Sequence, residues 1–253
     1  MKVVLTLMAV FSIINCNGQN NLEKAIVTPS QIDTLIFLEK QFSENDSTPP
    51  PQNEKWYRFL PGKNNKVLVT AAHATSQMRE GAIKRPDGGT GSLALSLNKY
   101  RNIPVLVTSY MSPSDPNYYD DNEFKDSLSK IIDELKPILI IDLHGSHPFR
   151  PYDVDFGTMK GRSMSERKYL LDSLTLELRQ NGLTNLSLDY FSASTNQTIT
   201  KFVWNKGYSC IQLEINSNYL SADEGNIYAQ KTAQLLQALI RFIDDIHPNP
   251  RLK

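Results

Sequence analysis

The sequence predicts a three-layer α/β protein in which a mostly parallel sheet is covered by helices on both faces. From Lys66 onward, short apolar runs typical of strands alternate with longer windows of helical periodicity. No internal repeat interrupts this alternation. The length of 253 residues suits one large or two small domains and is sufficient for a sizeable core.

The individual elements follow from the spacing of apolar residues. Strands are predicted at residues 66–72, 103–110, 137–143, 185–191 and 209–215. Helices are predicted at residues 91–100, 122–136, 164–180 and 222–246. The last helix has apolar positions at Ile227, Ala229, Ala233, Leu235, Leu236, Leu239, Ile240 and Ile243.

Three segments are predicted along the chain: a leader at residues 1–16, a linker with a helix and a loop at residues 17–65, and the α/β domain at residues 66–253. In the leader, Lys2 precedes an apolar run at residues 3–14 that is too short to span a bilayer as a mature helix. The helix of the second segment is expected near residues 30–44. The Pro-rich stretch at residues 45–51 excludes regular structure and predicts a loop.

Cys16 directly follows the apolar run and resembles the cleavage and lipidation site of bacterial lipoproteins. Asn15 departs from that pattern, which prefers a small residue before the cysteine, so ordinary secretion and an uncleaved anchor remain alternatives. We expect an exported protein, periplasmic or at the cell surface, anchored to a membrane only through an N-terminal lipid. The second cysteine, Cys210, is predicted to be a small buried strand residue.

Composition excludes several functions. Twenty-seven Lys and Arg balance twenty-seven Asp and Glu without any basic run, so nucleic acid is not an expected partner. An apolar fraction of 40% and a charged fraction of 21% are ordinary for a folded soluble domain. Two cysteines cannot form a disulfide framework or a cysteine zinc site, so any metal must be held by histidines and carboxylates.

Three predicted strands end in residues that suit chemistry. In open parallel sheets ligands bind beyond the carboxyl ends of strands. The strand at residues 66–72 runs into His73, the strand at 137–143 into His144, and the strand at 209–215 contains Glu214 near its end. A single histidine at such a place is often structural, but two histidines and a glutamate at three strand ends predict a site.

These residue types suit a mononuclear zinc hydrolase. Neutral imidazoles and one carboxylate bind zinc at about 2.0–2.2 Å and leave a position open for water. We predict one Zn²⁺ per chain, held by His73, His144 and Glu80, with Asp87 as the competing third ligand. Asp142 lies two residues before His144 and is expected to accept the ring N–H that does not face the metal, unless it only caps a neighbouring loop or helix.

Four segments resemble the N-formylglutamate amidohydrolase family: residues 67–94, residues 115–117 with Phe124, residues 140–145 and residues 212–216. That family is similar in fold to zinc carboxypeptidases and aspartoacylases, so the resemblance implies a mixed sheet between helices, as in zinc exopeptidases. It also implies zinc-dependent hydrolysis of an amide next to a carboxylate-bearing amino acid. On this resemblance His73 and His144 are metal ligands and Glu214 is the general base.

The sequence departs from these relatives at two points. Carboxypeptidases and aspartoacylases have a glutamate three residues after the first histidine, where this chain has Ser76, so the carboxylate ligand must come from elsewhere. The predicted export also argues against N-formylglutamate itself as the substrate. We therefore expect a small-molecule or peptide substrate that has a carboxylate and is cleaved at an N-acyl or peptide amide.

A carboxylate on the substrate requires a cationic group, for which Arg79, Arg150 and Arg162 are the candidates. Asn117 matches a polar position that the family places beside the substrate, although Asp-Pro-Asn is also ordinary turn chemistry. His147 is expected to be an exposed loop residue. No serine or cysteine has the sequence context of an activated nucleophile, which disfavours a serine or cysteine hydrolase.

Two alternative functions remain from the sequence. One is a cell-wall-directed, carboxypeptidase-like peptidase, which shares the metal and differs in its substrate. The other is a catalytically silent lipoprotein that binds a carbohydrate or a peptide. A binding protein does not need a proton-accepting carboxylate opposite a metal. A requirement for Glu214 therefore separates the two hydrolase functions from the binding protein.

Overall fold

A computed structural model describes residues 25–164 and 166–246. The strands are β1 (Tyr57–Leu60), β2 (Val67–Ala71), β3 (Gln77–Arg79), β4 (Ala82–Lys84), β5 (Val105–Thr108), β6 (Leu139–Ser146), β7 (Val154–Gly157), β8 (Leu186–Leu188) and β9 (Cys210–Asn216). The helices are α1 (Pro29–Asn45), α2 (Thr90–Arg101), α3 (Glu123–Leu135), α4 (Lys168–Gln180), α5 (Ile199–Asn205) and α6 (Asn226–Ile246).

Seven strands form one mixed sheet in the order β1-β5-β2-β6-β9-β7-β8, and β3 pairs with β4 in a separate hairpin. The four central strands, β5, β2, β6 and β9, are mutually parallel. The outer strand β1 runs antiparallel to β5, and β7 runs antiparallel to β9. The predicted fold class, a mostly parallel but mixed sheet between helices, is confirmed.

The core lies on both faces of this sheet, because the central strands alternate apolar side chains between two buried clusters. On one face Val69 and Ile141 pack with α1, α2, α4 and α6. On the other face Leu68 and Ile140 pack with α3 and α5. All five residues of β2 are buried, as expected for a parallel strand covered on both sides.

The segment before residue 66 contributes to the same core. The helix predicted near residues 30–44 is α1, whose side chains Leu35 and Phe42 are buried in the cluster shared with α2 and α6. Strand β1 pairs along its whole length with β5, from Tyr57 opposite Thr108 to Leu60 opposite Val105. Both elements therefore pack directly against the α/β sheet.

All five predicted strands and all five predicted helices are present, with shifted ends. The helix expected from residue 164 begins at Lys168, and the one expected from residue 222 begins at Asn226. Strands β1, β3, β4 and β7 and helix α5 were not predicted. Cys210 is fully buried, as expected.

The predicted leader and Cys16 lie outside the described residues, so lipidation and export stay predictions. Among the helices that the structure describes, none combines the length and the hydropathy that crossing a membrane requires.

Candidate metal site and catalytic cavity

The three chemistry-bearing strand ends meet at one edge of the sheet. Strands β2, β6 and β9 are adjacent, and His144 on β6 lies in register with Glu214 on β9. His73 follows the end of β2 by two residues. The rings of His73 and His144 have centroids 4.8 Å apart and are nearly perpendicular. The predicted meeting of these residues is therefore observed.

Asp87 is the carboxylate between the two histidines. Its Oδ2 lies 3.0 Å from Nδ1 of His144 and 3.4 Å from Nδ1 of His73. One potential ligand atom from each of the three residues lies within 4.8 Å of the other two. The backbone N–H of Asp87 donates to the carbonyl of His73 at 2.8 Å, which ties the segment before α2 to the end of β2. Gly145 leaves room for Asp87, since a Cβ at position 145 would lie 3.2 Å from the Asp87 Cβ.

The outer nitrogen of each imidazole faces a buried carboxylate. Nε2 of His73 lies 2.7 Å from Oδ1 of Asp115, and Nε2 of His144 lies 3.0 Å from Oδ2 of Asp142. Asp142 also accepts a hydrogen bond from the hydroxyl of Thr70 at 2.6 Å. The predicted contact between Asp142 and His144 is confirmed. A neutral histidine that donates its Nε2–H to such a carboxylate presents an Nδ1 lone pair on the other side of the ring.

This arrangement fits a cation. With both imidazoles neutral and donating outward, two Nδ1 lone pairs converge on the carboxylate of Asp87, and nothing but a proton or a metal ion can make that convergence favourable. Two imidazole nitrogens and one carboxylate oxygen are a donor set that zinc accepts, with the remaining position open. The residues present therefore fit the metal that the sequence predicted.

The contacts between these histidines and carboxylates also shift their pKa values. Burial lowers the pKa of His73, but its hydrogen bonds to Asp115 and Asp87 outweigh burial and raise the pKa to about 9. The pKa of His144 is also raised, because Asp142 and Asp87 outweigh its burial. Burial of Asp87 is outweighed by His144 and His73, and burial of Asp115 by His73 and Arg79, so both carboxyl pKa values lie below their usual range. The ionised carboxylates therefore favour a positive charge between them, as a proton on the imidazoles or as a metal ion.

Glu214 lines the same cavity in a less polar environment. Burial, opposed by the nearby His144, raises the pKa of Glu214 to about 7. Gln212, two residues earlier on the same face of β9, donates its side-chain N–H to Oε1 of Glu214 at 2.8 Å. The carboxyl group is thus held in place and can exchange a proton near neutral pH.

The cavity has a volume of about 340 Å³. It is lined by His73, Asp87, His144 and Glu214, by Arg79 and Asn117, and by most of the wall segment at residues 191–198. The wall segment begins after β8 and ends at α5, the helix that sequence periodicity did not identify. A cavity of this size accommodates one small organic substrate.

Glu80 does not reach the histidines, so the prediction of Glu80 as third ligand has to be corrected in favour of Asp87. Glu80 occupies the turn between β3 and β4 with a positive φ of 51°. Its side chain is exposed and accepts a hydrogen bond from the hydroxyl of Tyr118 at 2.6 Å. The chain after the hairpin returns to the end of β2, where the backbone N–H of Asp87 donates to the carbonyl of His73, and it is Asp87 that reaches the two imidazoles.

The predicted substrate-binding residues have different positions. Arg79 lines the cavity, and its Nε donates to Oδ2 of Asp115 at 2.6 Å. Asn117 also lines the cavity, and its Oδ1 accepts the backbone N–H of Ile199 at 2.7 Å. Sequence reasoning missed Asp115, although it belongs to the same Asp-Pro-Asn segment as Asn117. Its Oδ1 accepts the backbone N–H of Asn117 at 2.8 Å, a local turn contact that the segment's composition already favoured.

Arg150 and Arg162, the other two predicted substrate contacts, are not among the residues that line the cavity. Arg150 is stacked over Phe191, with 4.9 Å from its Cζ to the ring centroid. Arg162 donates through Nε to the carbonyl of Met159 at 3.0 Å and lies over Trp204. His147 is an exposed loop residue, as expected, and its ring contacts Phe149.

Comparison with known proteins gives a result at the level of the fold. No protein-family model matches the sequence, and no curated protein matches it. Among solved structures, the chain is similar to the N-formylglutamate amidohydrolase from Ralstonia eutropha, with a TM-score of 0.55 and 13% sequence identity over 75% of this chain and 97% of that chain. It is also similar to a gene product of Agrobacterium tumefaciens, with a TM-score of 0.51 and 13% identity over 76% of this chain and 95% of that chain. The chain therefore has the N-formylglutamate amidohydrolase fold, in agreement with the resemblance in its sequence.

Proposed function

We propose that this protein is a metal-dependent amidohydrolase that cleaves an N-acyl or peptide amide next to a carboxylate-bearing residue. The observation that carries the proposal is the convergence of His73, Asp87 and His144, whose ligand atoms lie within 4.8 Å of one another in a cavity that also contains Glu214. The fold shared with an amidohydrolase supports it.

We further propose zinc as the metal, held by Nδ1 of His73, Nδ1 of His144 and the carboxylate of Asp87. Imidazole and carboxylate ligands suit zinc, although other divalent ions of the first transition row compete for such sites. Zinc in this position supplies Lewis acidity, which polarises a carbonyl group and lowers the pKa of water. Asp115 and Asp142 fix both imidazoles in the tautomer that leaves Nδ1 free.

Glu214 is the proposed general base. Its pKa of about 7 allows it to take a proton from the attacking water and to return that proton to the leaving amine. Gln212 occupies Oε1 through a hydrogen bond, so Oε2 is the oxygen that we assign to the proton transfer.

Arg79 and Asn117 are the proposed contacts for the carboxylate of the substrate, because both line the cavity. The contacts of Arg79 with Asp115 use its Nε and one terminal nitrogen, so N–H groups on the other terminal nitrogen remain for a bound carboxylate. Asp115 thereby links the substrate contact to the orientation of His73.

Hydrolysis assays test this proposal. N-acyl amino acids and short peptides should be incubated with the protein as purified, after chelation, and after zinc is restored. We expect release of free amine that disappears on chelation and returns with zinc. Turnover that survives complete removal of metal would contradict the proposed chemistry, and so would the absence of turnover on every N-acyl and peptide substrate by a fully zinc-loaded protein.

A further inference from the structure

An exposed aromatic surface borders the catalytic cavity. Phe149, in the loop after β6, is 88% exposed, and Tyr190, in the loop after β8, is 54% exposed. Arg150, which follows Phe149 in the chain, lies over the rings of Tyr190 and Phe191, and we call these four residues the aromatic rim. Large apolar side chains that are exposed and lie together are typical of a binding site for a ligand or another protein.

Arg150 is the centre of the rim. Its Cζ lies 4.9 Å from the ring centroid of Phe191 and 5.7 Å from that of Tyr190, and its Nη1 donates to the Tyr190 hydroxyl at 3.4 Å. Among the described residues, no carboxylate lies within ion-pair distance of Arg150, although its side chain is exposed. Stacking therefore holds the guanidinium in place and leaves most of its N–H donors available.

Buried side chains anchor both loops of the rim from below. Asp155 on β7 is fully buried and accepts the backbone N–H groups of Tyr190 at 3.0 Å and Phe191 at 2.8 Å. Asn216 at the end of β9 donates to the carbonyls of Pro148 and Tyr152, each at 3.1 Å. Because the anchors are internal, the rim has its shape before any ligand arrives, which lowers the ordering cost of binding.

The rim is continuous with the site that contains Glu214. Phe191 belongs to both, since it lines the cavity and carries the guanidinium of Arg150. Asp155, which anchors Phe191, is the register partner of Glu214 across β7 and β9. A cavity of about 340 Å³ holds one acylated residue, so a longer chain has to leave the cavity, and the rim adjoins the cavity through Phe191.

The chemistry of the rim favours a carboxylate over a sugar ring. Stacking of sugars needs open aromatic faces, and the guanidinium covers one face of Phe191 and one face of Tyr190, so two of the three rings of the rim offer less open surface to a sugar. The planar edge of a guanidinium can donate two parallel hydrogen bonds to a carboxylate. Phe149, the residue before Arg150, offers exposed apolar surface to the methylene groups of an acidic side chain.

We propose that the aromatic rim is an outer substrate subsite that binds an acidic residue of a peptide chain, through Arg150 and Phe149, while the scissile amide lies in the cavity. The proposal rests on the proposed function only for the position of the scissile amide. Binding at the rim requires neither turnover nor metal.

Peptide binding to the chelated protein tests the subsite separately from catalysis. The probes are two pairs of tetrapeptides, and all four peptides contain one common glutamate. Within a pair, the peptides differ at a second position, which is glutamate in one peptide and glutamine in the other. This second position lies on the amino side of the common glutamate in the first pair and on its carboxyl side in the second pair. For one of the pairs, we expect the peptide with two glutamates to bind about tenfold more tightly in calorimetry, as a charged hydrogen-bonded contact provides. Arg150→Gln should remove that difference, and Phe149→Ala should weaken both peptides of that pair.

Arg162→Gln is the matched control, because Arg162 is also exposed and stacked on an aromatic ring but lies off the cavity. It should preserve the preference for the second glutamate. Equal affinities within both pairs for the unmodified protein, or a preference that survives Arg150→Gln in a folded variant, would overturn the subsite. Binding of a neutral N-acetylated sugar chain in place of the peptides would also overturn it. A charge preference without any hydrolysis would contradict the proposed function alone.

Discussion

Oδ2 of Asp87 lies 3.0 Å from Nδ1 of His144, although the two residues are 57 positions apart in the sequence. The same oxygen lies 3.4 Å from Nδ1 of His73. One carboxylate therefore stands between two imidazoles, and both imidazoles are held from behind by further carboxylates. This relationship links the fold to the proposed metal chemistry.

Glu214→Gln should keep the metal and lose turnover. The amide has nearly the same shape but cannot accept the proton of water, and a positioned general base contributes about 10²–10⁴-fold to the rate. The measurement is kcat on any substrate found in the hydrolysis assays, with metal content determined on the same sample. Undiminished turnover in Glu214→Gln would exclude this residue as the base.

Asp115→Asn should weaken metal binding without abolishing it. The amide oxygen can still accept from His73, but the negative charge that raises the basicity of the ring is lost. Replacement of such supporting residues typically costs about 10–100-fold in metal affinity. Competition with a chelator of known affinity measures the change. Zinc affinity equal to that of the unmodified protein would show that Asp115 does not support the ligand.

The stability of the metal-free protein should fall as the pH rises from about 6.5 to about 9. The pKa of His73 is raised to about 9, above the value of about 6.5 expected in the unfolded chain, so its protonated form stabilises the fold. That contribution is complete below about pH 6.5 and is lost as the pH passes through about 9. Glu214, whose pKa is raised to about 7, acts in the same direction between its unfolded value and pH 7.

Zinc should reverse this trend, because the metal requires neutral imidazoles. Melting temperatures with chelator and with zinc, measured from pH 6 to pH 9.5, give both slopes. A metal-free protein that becomes more stable across this range would contradict the assigned proton positions on His73 and His144.

Phe42→Ala should destabilise the whole α/β domain. Phe42 is 3% exposed and packs from α1 into the core shared with α2, so its truncation should cost about 3–5 kcal/mol. Phe37, on the same helix, is 61% exposed, and Phe37→Ala is the control with little expected effect. Chemical denaturation should show one transition that shifts only in Phe42→Ala. A separate transition for α1 would mean that it folds independently of the sheet.

The central part of the fold was predictable because its strands are buried on both faces and are therefore continuous apolar runs. Strands β1, β3, β4 and β7 were not, since they are only three or four residues long and include charged residues, as Asp155 in β7 shows. The two histidines and Glu214 could be predicted because parallel strands bring their carboxyl ends together. The third carboxylate could not, because the choice between Glu80 and Asp87 depends on the hairpin of β3 and β4, which sequence spacing does not reveal.

Metal content most directly tests the claim that His73, Asp87 and His144 hold a metal ion. One variant of Asp87 and one variant of Glu80 form a matched pair for this test. Elemental analysis of the zinc-supplied protein should give about one zinc per chain, as a three-ligand site with one open position binds a single ion. Asp87→Asn should lose most of this zinc, and Glu80→Gln should retain it, because Asp87 lies between the two histidines whereas Glu80 contacts Tyr118. Zinc that remains in Asp87→Asn and disappears in Glu80→Gln, or the absence of zinc from the unmodified protein, would contradict the account.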